Sequence, residues 1–524
     1  MSEIVLGKWM YDEKEPPELS RQDAWLPERS SRELAKQGDQ VLVPRDLLKN
    51  THTHIRGKSG SGKDSTLILP LAAQLLQPYE LTWEEADGSV NTVSERDAVI
   101  MVDLGGDKAT FGAMNALTDS DPDREFHFLS LDANHSHKFD PFQSIPADGY
   151  RIIRLCNLFL EAFSLDHGLT YGGSWYSQRN LLLLLNICEQ LVAERRKGKE
   201  ITLYDVDRFL ADPQTASIRD AEQIRGIFRF LLEYPQLQPT PRDKQVINVK
   251  QIIKNRGVLF AYLPAIAEAT TARQIAGLVL YTAVNAAMSL YEELDVATGE
   301  QRPHPHTHIF VNEFHSIAGS SFEALLTGAR KYNISLYLAN QTTESLRTRD
   351  LDLSATVRDN CGVRIYQTVT GKQDIEELLT FSQETTRTLR STKPNESIRL
   401  KGRGALGSSS LSEQVTTQLT KAEILDISSR KCAGFAIVDD GLGHREPIPL
   451  ETDYYLSREE YLRFRATPLP KTATTPLESR PGRLRAVMPE WETAHLDAGK
   501  DELHQARMDR LSEALARLIA EERG

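Results

Sequence analysis

The stretch Arg56-Gly-Lys-Ser-Gly-Ser-Gly-Lys-Asp-Ser-Thr66 constrains the chain more than any other. It fits G-x-x-x-x-G-K-[ST] through Gly57, Ser59, Gly60, Ser61, Gly62 and Lys63, and departs at the last position, where Asp64 replaces the usual hydroxyl and Ser65 follows one residue late. Glycines at this spacing let the backbone turn its N–H groups onto a phosphate, and the lysine sets a point charge beside the outer phosphates. The next residues, Ser65 to Leu76, form an apolar run suited to a buried helix whose positive end faces the bound anion. A nucleoside triphosphate, ATP, with Mg2+ is therefore the expected ligand pair. Asp64 touches the metal side, so binding follows from the loop and hydrolysis does not. Two local features are unusual: His52 to Arg56 is polar for a central parallel strand, and Pro70 is expected to kink the helix.

At 524 residues with 40% hydrophobic content, the chain is long enough for two cored domains with extensions. No stretch of about 18 or more apolar residues stands out, and the N-terminus lacks a signal-peptide layout, so cytoplasmic residence is expected. Cys156, Cys188, Cys361 and Cys432 are widely spaced and read as reduced core thiols. A net charge of −12 requires any nucleic-acid surface to be a local basic patch or channel.

Strand-like segments alternate with helical ones, the pattern of a mostly parallel sheet covered on both faces. The strands expected are Ala98 to Asp103, Phe126 to Asp132, Val258 to Leu263, His308 to Asn312, Ile334 to Ala339, Val363 to Thr368 and Gly434 to Val438. Beside the phosphate loop they make an α/β, RecA-like P-loop NTPase domain with a mainly parallel central sheet, over 41–149 and 250–465. Residues 150–249 carry helical spacing with almost no strand signal and read as an inserted all-helical domain. Residues 1–40 read as an N-terminal extension, Ser391 to Ser412 as a mobile loop, and 466–524 as a linker and helical tail striped by Leu511, Leu515, Leu518 and Ile519.

Hydrolysis needs an acidic group at the end of a second strand, to hold the metal's water shell and polarise the attacking water. In Thr307-His-Ile-Phe-Val-Asn-Glu-Phe-His315, Asn312 takes the metal-side position and Glu313 the water-activating one. Asn312 lacks the charge of an aspartate, which Asp64 restores if its carboxylate reaches the metal. Asp103, ending another strand, is the rival acidic candidate. Gln341 follows a strand at the position of a γ-phosphate sensor, and Arg330 is an arginine-finger candidate for a neighbouring subunit. Histidines 52, 54, 304, 306, 308 and 315 lack metal-site spacing and read as loop polarity.

Taken in order, these segments resemble the type IV coupling proteins of bacterial conjugation, within the FtsK–HerA group of ring-forming DNA motors. The likeness runs through the loop and Leu67-Ile-Leu-Pro-Leu71, Val102-Asp-Leu-Gly-Gly-Asp-Lys108, Asn134 to Pro141, Gly173-Ser-Trp-Tyr-Ser177, Val311 to Ser316, Gly328 to Ile334, Ala339-Asn-Gln341, Asp359 to Val363 and Asp453-Tyr-Tyr455, covering about Val41 to Leu456. It implies a hexameric, ATP-driven motor that translocates DNA or delivers a relaxase to a secretion channel. Such proteins usually begin with transmembrane helices, and this sequence shows none, so a separate membrane partner is expected. Two alternatives stand beside it: a nucleotide-gated docking protein with little turnover, and a soluble DNA-processing or defence motor.

Overall fold

The computed structural model describes residues 3–11, 35–84, 90–144, 152–165, 173–212, 215, 221–240, 243, 245–266, 268–293, 304–319, 321–347, 351–382, 384–392, 409–417, 419–439 and 446–472. Their strands are β1 (Glu3–Trp9), β2 (Gln40–Pro44), β3 (Thr53–Gly57), β4 (Tyr79–Glu84), β5 (Val90–Glu95), β6 (Ala98–Asp103), β7 (Phe126–Ser130), β8 (Lys138–Phe139), β9 (Val246–Ile247), β10 (Val258–Tyr262), β11 (Thr307–Asn312), β12 (Ile334–Asn340), β13 (Val363–Gln367), β14 (Glu384–Thr392), β15 (Ser409–Thr417), β16 (Ala433–Val438) and β17 (Ile448–Glu451).

Eleven of these form one sheet in the order β2-β1-β17-β16-β13-β3-β12-β11-β6-β10-β7. From β13 to β7 every neighbour is parallel, while β16, β17, β1 and β2 continue the sheet antiparallel beyond β13. The fold is thus α/β with a mainly parallel sheet. The apolar strands are the continuous runs expected of strands covered on both faces: every residue of β6, β10 and β11 is buried. Alternate residues serve opposite faces. Ala98, Ile100 and Val102 face one cluster, with the helix Ala269–Tyr291, while Val99 and Met101 face the other, with the helices Leu69–Leu76 and Lys108–Asp119.

The helices Ile152–Ala162, Gly173–Arg196, Leu203–Leu210 and Ala221–Leu232 occupy the stretch expected to be helical. Their apolar residues belong to the same cluster as one face of the sheet, so this stretch shares the sheet's core. Close backbone approach fixes the contact: a Cβ on Gly277, in Ala269–Tyr291, would lie 2.3 Å from the Ala162 carbonyl oxygen. That long helix has the length and apolar composition to cross a membrane, a feature the sequence reading passed over, and it is mostly buried inside the protein.

Several segments differ from expectation. Residues 1–40 are no simple extension, because Glu3–Trp9 pairs with β2 and β17 in the sheet. Ser391 to Ser412 was expected as a loop, yet its ends belong to the hairpin β14–β15, and residues 393–408 lie outside the described residues. Thr472, expected in a linker, donates its N–H to the Asn134 carbonyl at 2.9 Å. The tail helix lies outside the described residues.

The polar strand β3 lies at the centre, between β12 and β13, with all five residues buried. His54 and Arg56 find partners on neighbouring strands and on the helix Lys372–Phe381, while Thr53 Oγ1, His54 Nδ1 and Arg56 Nε have none among the described residues. His54 Nε2 meets Asn340 Oδ1 at 2.8 Å, and Arg56 donates to Asp374 at 2.7 Å, Glu377 at 2.8 Å and the Tyr366 hydroxyl at 2.7 Å. His52, His306 and His308 are buried too, against Leu326, Ser335 and Asp97, so they are core groups and not loop polarity. Burial pushes the His52 and His54 imidazoles down to about 4 and about 3, which keeps them neutral.

Gly277→Ala is expected to destabilise the protein by about 1–3 kcal/mol, because the helix must move off Ala162. A lower urea midpoint checks this, and an unchanged midpoint would show that the approach is not tight.

Candidate active site

The phosphate loop leaves β3 at Gly57 and turns through two positive-φ glycines, Gly60 (φ 78°) and Gly62 (φ 92°), a conformation open to glycine at little steric expense. The N–H groups of Ser65 and Thr66 close on the Gly62 carbonyl at 3.0 and 2.9 Å. Gln367 of β13 braces the loop, accepting from Ser61 Oγ at 3.2 Å and donating to Thr66 Oγ1 at 2.9 Å. The helix opens as a π turn, Asp64–Ile68, in which the Leu69 N–H reaches back to the Asp64 carbonyl. Pro70 then falls at the first turn of Leu69–Leu76, where its missing N–H is tolerated, so the proline accompanies a change of helical register.

A cleft of about 1180 Å³ opens at the carboxyl edge of the sheet. The loop from Ser59 to Ser65 forms one wall, the turn Gly105 to Lys108 after β6 a second, and Asn312 with Glu313 after β11 a third. Lys63 Nζ lies 2.7 Å from Glu313 Oε1, with both side chains largely buried. Gln341 Nε2, just beyond β12, donates to Glu313 Oε2 at 3.4 Å, and His315 Nδ1 lies 3.6 Å from the same oxygen. Glu313 itself is left-handed (φ 58°, ψ 41°), a conformation unfavourable for a residue with a Cβ, at the bend between β11 and the short helix Phe314–Ser316.

Asn312 and Asp103 are register partners on β11 and β6, and Asn312 Nδ2 donates to Asp103 Oδ1 at 3.0 Å. Asp103 also accepts the N–H groups of Gly105 and Asp107, so the rival carboxylate is spent on holding the turn and orienting Asn312. This leaves Asn312 Oδ1 buried without a partner, and Asp64 Oδ1 is in the same condition. Two orphaned oxygens in an acidic cleft fit a hard, hydrated cation such as Mg2+. Burial, reinforced by Asp103, Asp107 and Glu313 and offset in part by Lys63, pushes the Asp64 carboxyl up to about 7.

Not every residue singled out converges here. Arg330 precedes β12, at the opposite edge of the sheet, and its guanidinium donates to the Asn50 carbonyl at 3.4 Å. No cluster of metal-ligating side chains occurs among the described histidines, cysteines and acids. Sequence reasoning passed over Gln367, an ordinary strand end, and the fourth wall of the cleft, formed by Lys431, Tyr454, Leu456, Arg458, Tyr461 and Arg465. These residues follow no nucleotide motif; the only hint was the likeness at Asp453-Tyr-Tyr455.

No protein-family model matches the chain, and no curated protein matches it in sequence. Solved structures do match in fold. The bacterial conjugative coupling protein TrwBdeltaN70, unbound monoclinic form, has a TM-score of 0.52 and 15% identity over 79% of this chain and 87% of that one. The plasmid coupling protein TrwB in complex with ADP and Mg2+ has a TM-score of 0.52 and 16% identity over 87% and 97%. TrwB in complex with the GTP analogue GDPNP has a TM-score of 0.51 and 15% identity over 86% and 96%. The chain has the α/β fold of these coupling-protein structures, built on a mainly parallel sheet.

The raised Asp64 carboxyl makes a pH prediction. Its folded value of about 7 lies above the ordinary 3.8, so the folded state holds the proton more tightly, and stability falls as pH rises from about 4 through about 7. In protein free of nucleotide and divalent cation, Asp64→Asn is expected to raise the unfolding midpoint above pH 7 and to leave it unchanged near pH 4. Equal midpoints at both pH values would contradict a buried, acid-crowded Asp64.

Proposed function

We propose that this protein is an ATPase of the type IV secretion and conjugation kind, acting as an ATP-driven DNA translocase or substrate-coupling motor. The observation that carries the reading is the 2.7 Å pair between Lys63 and Glu313, which joins the phosphate loop to the end of a second strand with Gln341 beside it. In the ligand-free chain Glu313 neutralises Lys63. Triphosphate entering the loop competes for the ammonium, and the freed carboxylate turns to a water that it orients as base. Gln341, already donating to Glu313, reports whether the γ-phosphate side of the cleft is filled. Asp64 and Asn312 would hold Mg2+, whose charge offsets that developing on the transferred phosphoryl group. The match to TrwB structures holding ADP with Mg2+ and a GTP analogue supports this ligand class.

In this reading Arg330 acts across a subunit boundary of a hexameric ring, which suits its distance from the cleft of its own chain. The partners are DNA, a relaxase or other transferred protein, and a membrane or channel component. The second reading, a docking protein that binds nucleotide with little turnover, is favoured by the carboxylate at Asp64 and the missing charge at Asn312.

ATP hydrolysis measured with and without single- and double-stranded DNA separates the two. The motor predicts turnover that rises with DNA, falls by about 100-fold or more in Glu313→Gln, and is lost in Lys63→Ala. Tight ATP binding with no turnover, indifferent to DNA and to Glu313→Gln, would leave the docking protein.

A further inference from the structure

Apart from Lys431, which precedes β16, the fourth wall of the cleft comes from the chain after β17, and that segment is anchored at both ends. The Tyr455 N–H donates to the Ser65 carbonyl at 3.2 Å, in the first turn of the helix that follows the loop. Ser457 and Glu460 then cap the helix Arg458–Ala466 reciprocally, Ser457 Oγ accepting the Glu460 N–H and the Glu460 carboxylate accepting the Ser457 N–H. Phe464 of this helix fills the space above Gly112, where a Cβ would come within 2.7 Å of the ring. The segment is therefore held between the loop helix and Lys108–Asp119, which begins at the second wall of the cleft.

What it presents to the cleft is aromatic and cationic. The Tyr454 hydroxyl lies 3.6 Å from where a Cβ of Gly62 would sit, so the ring borders the loop itself while remaining 47% exposed. Lys431 Nζ stands 5.2 Å from the centre of that ring. Arg458 and Arg465 line the same wall and make no ion pair among the described residues. A phosphate loop on one side of a cleft, facing an exposed tyrosine and uncommitted guanidinium groups on the other, suits a ligand that is anionic at one end and flat and aromatic at the other.

We infer that the segment from Tyr454 to Arg465 is the base-side wall of the nucleotide site, with Tyr454 stacking on the nucleobase and Arg458 and Arg465 holding the ribose and inner-phosphate side. The assignment rests on the nucleotide reading above and deepens it. Every base offers a π face, so a tyrosine platform gives affinity with little choice between bases.

Calorimetric binding of ATP, GTP and inorganic tripolyphosphate to the full chain with Mg2+ tests it. The unaltered protein should bind both nucleotides with comparable affinity, and both more tightly than tripolyphosphate. Tyr454→Ala should weaken ATP and GTP by about 10-fold and leave tripolyphosphate unchanged, whereas Tyr454→Phe should keep full affinity. Undiminished ATP binding in Tyr454→Ala, or an equal loss for tripolyphosphate, would overturn the base-side assignment. If the unaltered protein bound neither ATP nor tripolyphosphate, the phosphate-loop reading would itself fall, and this wall's role with it.

Discussion

The structure depends on satisfying a polar strand at the centre of an apolar sheet. Unpartnered, the side chains of β3 would be among the costliest groups to bury, and Arg56 above all. His54 Nε2 and the terminal nitrogens of Arg56 are met by particular neighbours, while Thr53 Oγ1, His54 Nδ1 and Arg56 Nε are not met among the described residues, and several of those neighbours sit where the site is assembled. His54 fixes Asn340, the residue before Gln341. Arg56 fixes Tyr366, the residue before Gln367, which in turn braces Ser61 and Thr66. The buried polar network thereby sets the height and register of the loop against β12 and β13, and leaves Lys63 facing the end of β11.

At the far side of the loop the same logic bears on the proposed metal position. A hydroxyl after the lysine and an aspartate ending the second strand would make a familiar pair of ligands. Here the carboxylate has moved onto the loop as Asp64, and the strand end carries an amide that Asp103 grips by its nitrogen. The two oxygens left over are the ones without partners. The cleft thus carries this carboxylate on the loop after β3, two strands away from β11, a placement that in the proposed function bears on turnover more than on nucleotide binding.

Much of this was legible in the sequence for a simple reason. Parallel strands buried on both faces must be continuous apolar runs, so β6, β10, β11 and β12 were found to within about a residue, and the loop announced itself through its glycines. What escaped notice lacks that signature. β1 and β2 are antiparallel strands at one end of the sheet, separated by a long stretch, and β14–β15 hides in Ser- and Thr-rich sequence where composition suggests a loop. The polarity of the histidines was visible, but their burial depends on partners such as Asp97 and Ser335, far away in sequence. The fourth wall was unreadable because Tyr454 and Arg458 acquire meaning only once the chain returns to Ser65 after almost four hundred residues.

In the proposed chemistry, Lys63 exchanges Glu313 for phosphate. A structure of the protein with Mg2+ and a non-hydrolysable ATP analogue tests it most directly. Lys63 Nζ should be on the outer phosphates and beyond ion-pair distance of Glu313, with the Asp64 and Asn312 oxygens turned to the metal or its waters. Retention of the 2.7 Å pair with the analogue bound, or the analogue bound away from the loop, would contradict the proposed chemistry.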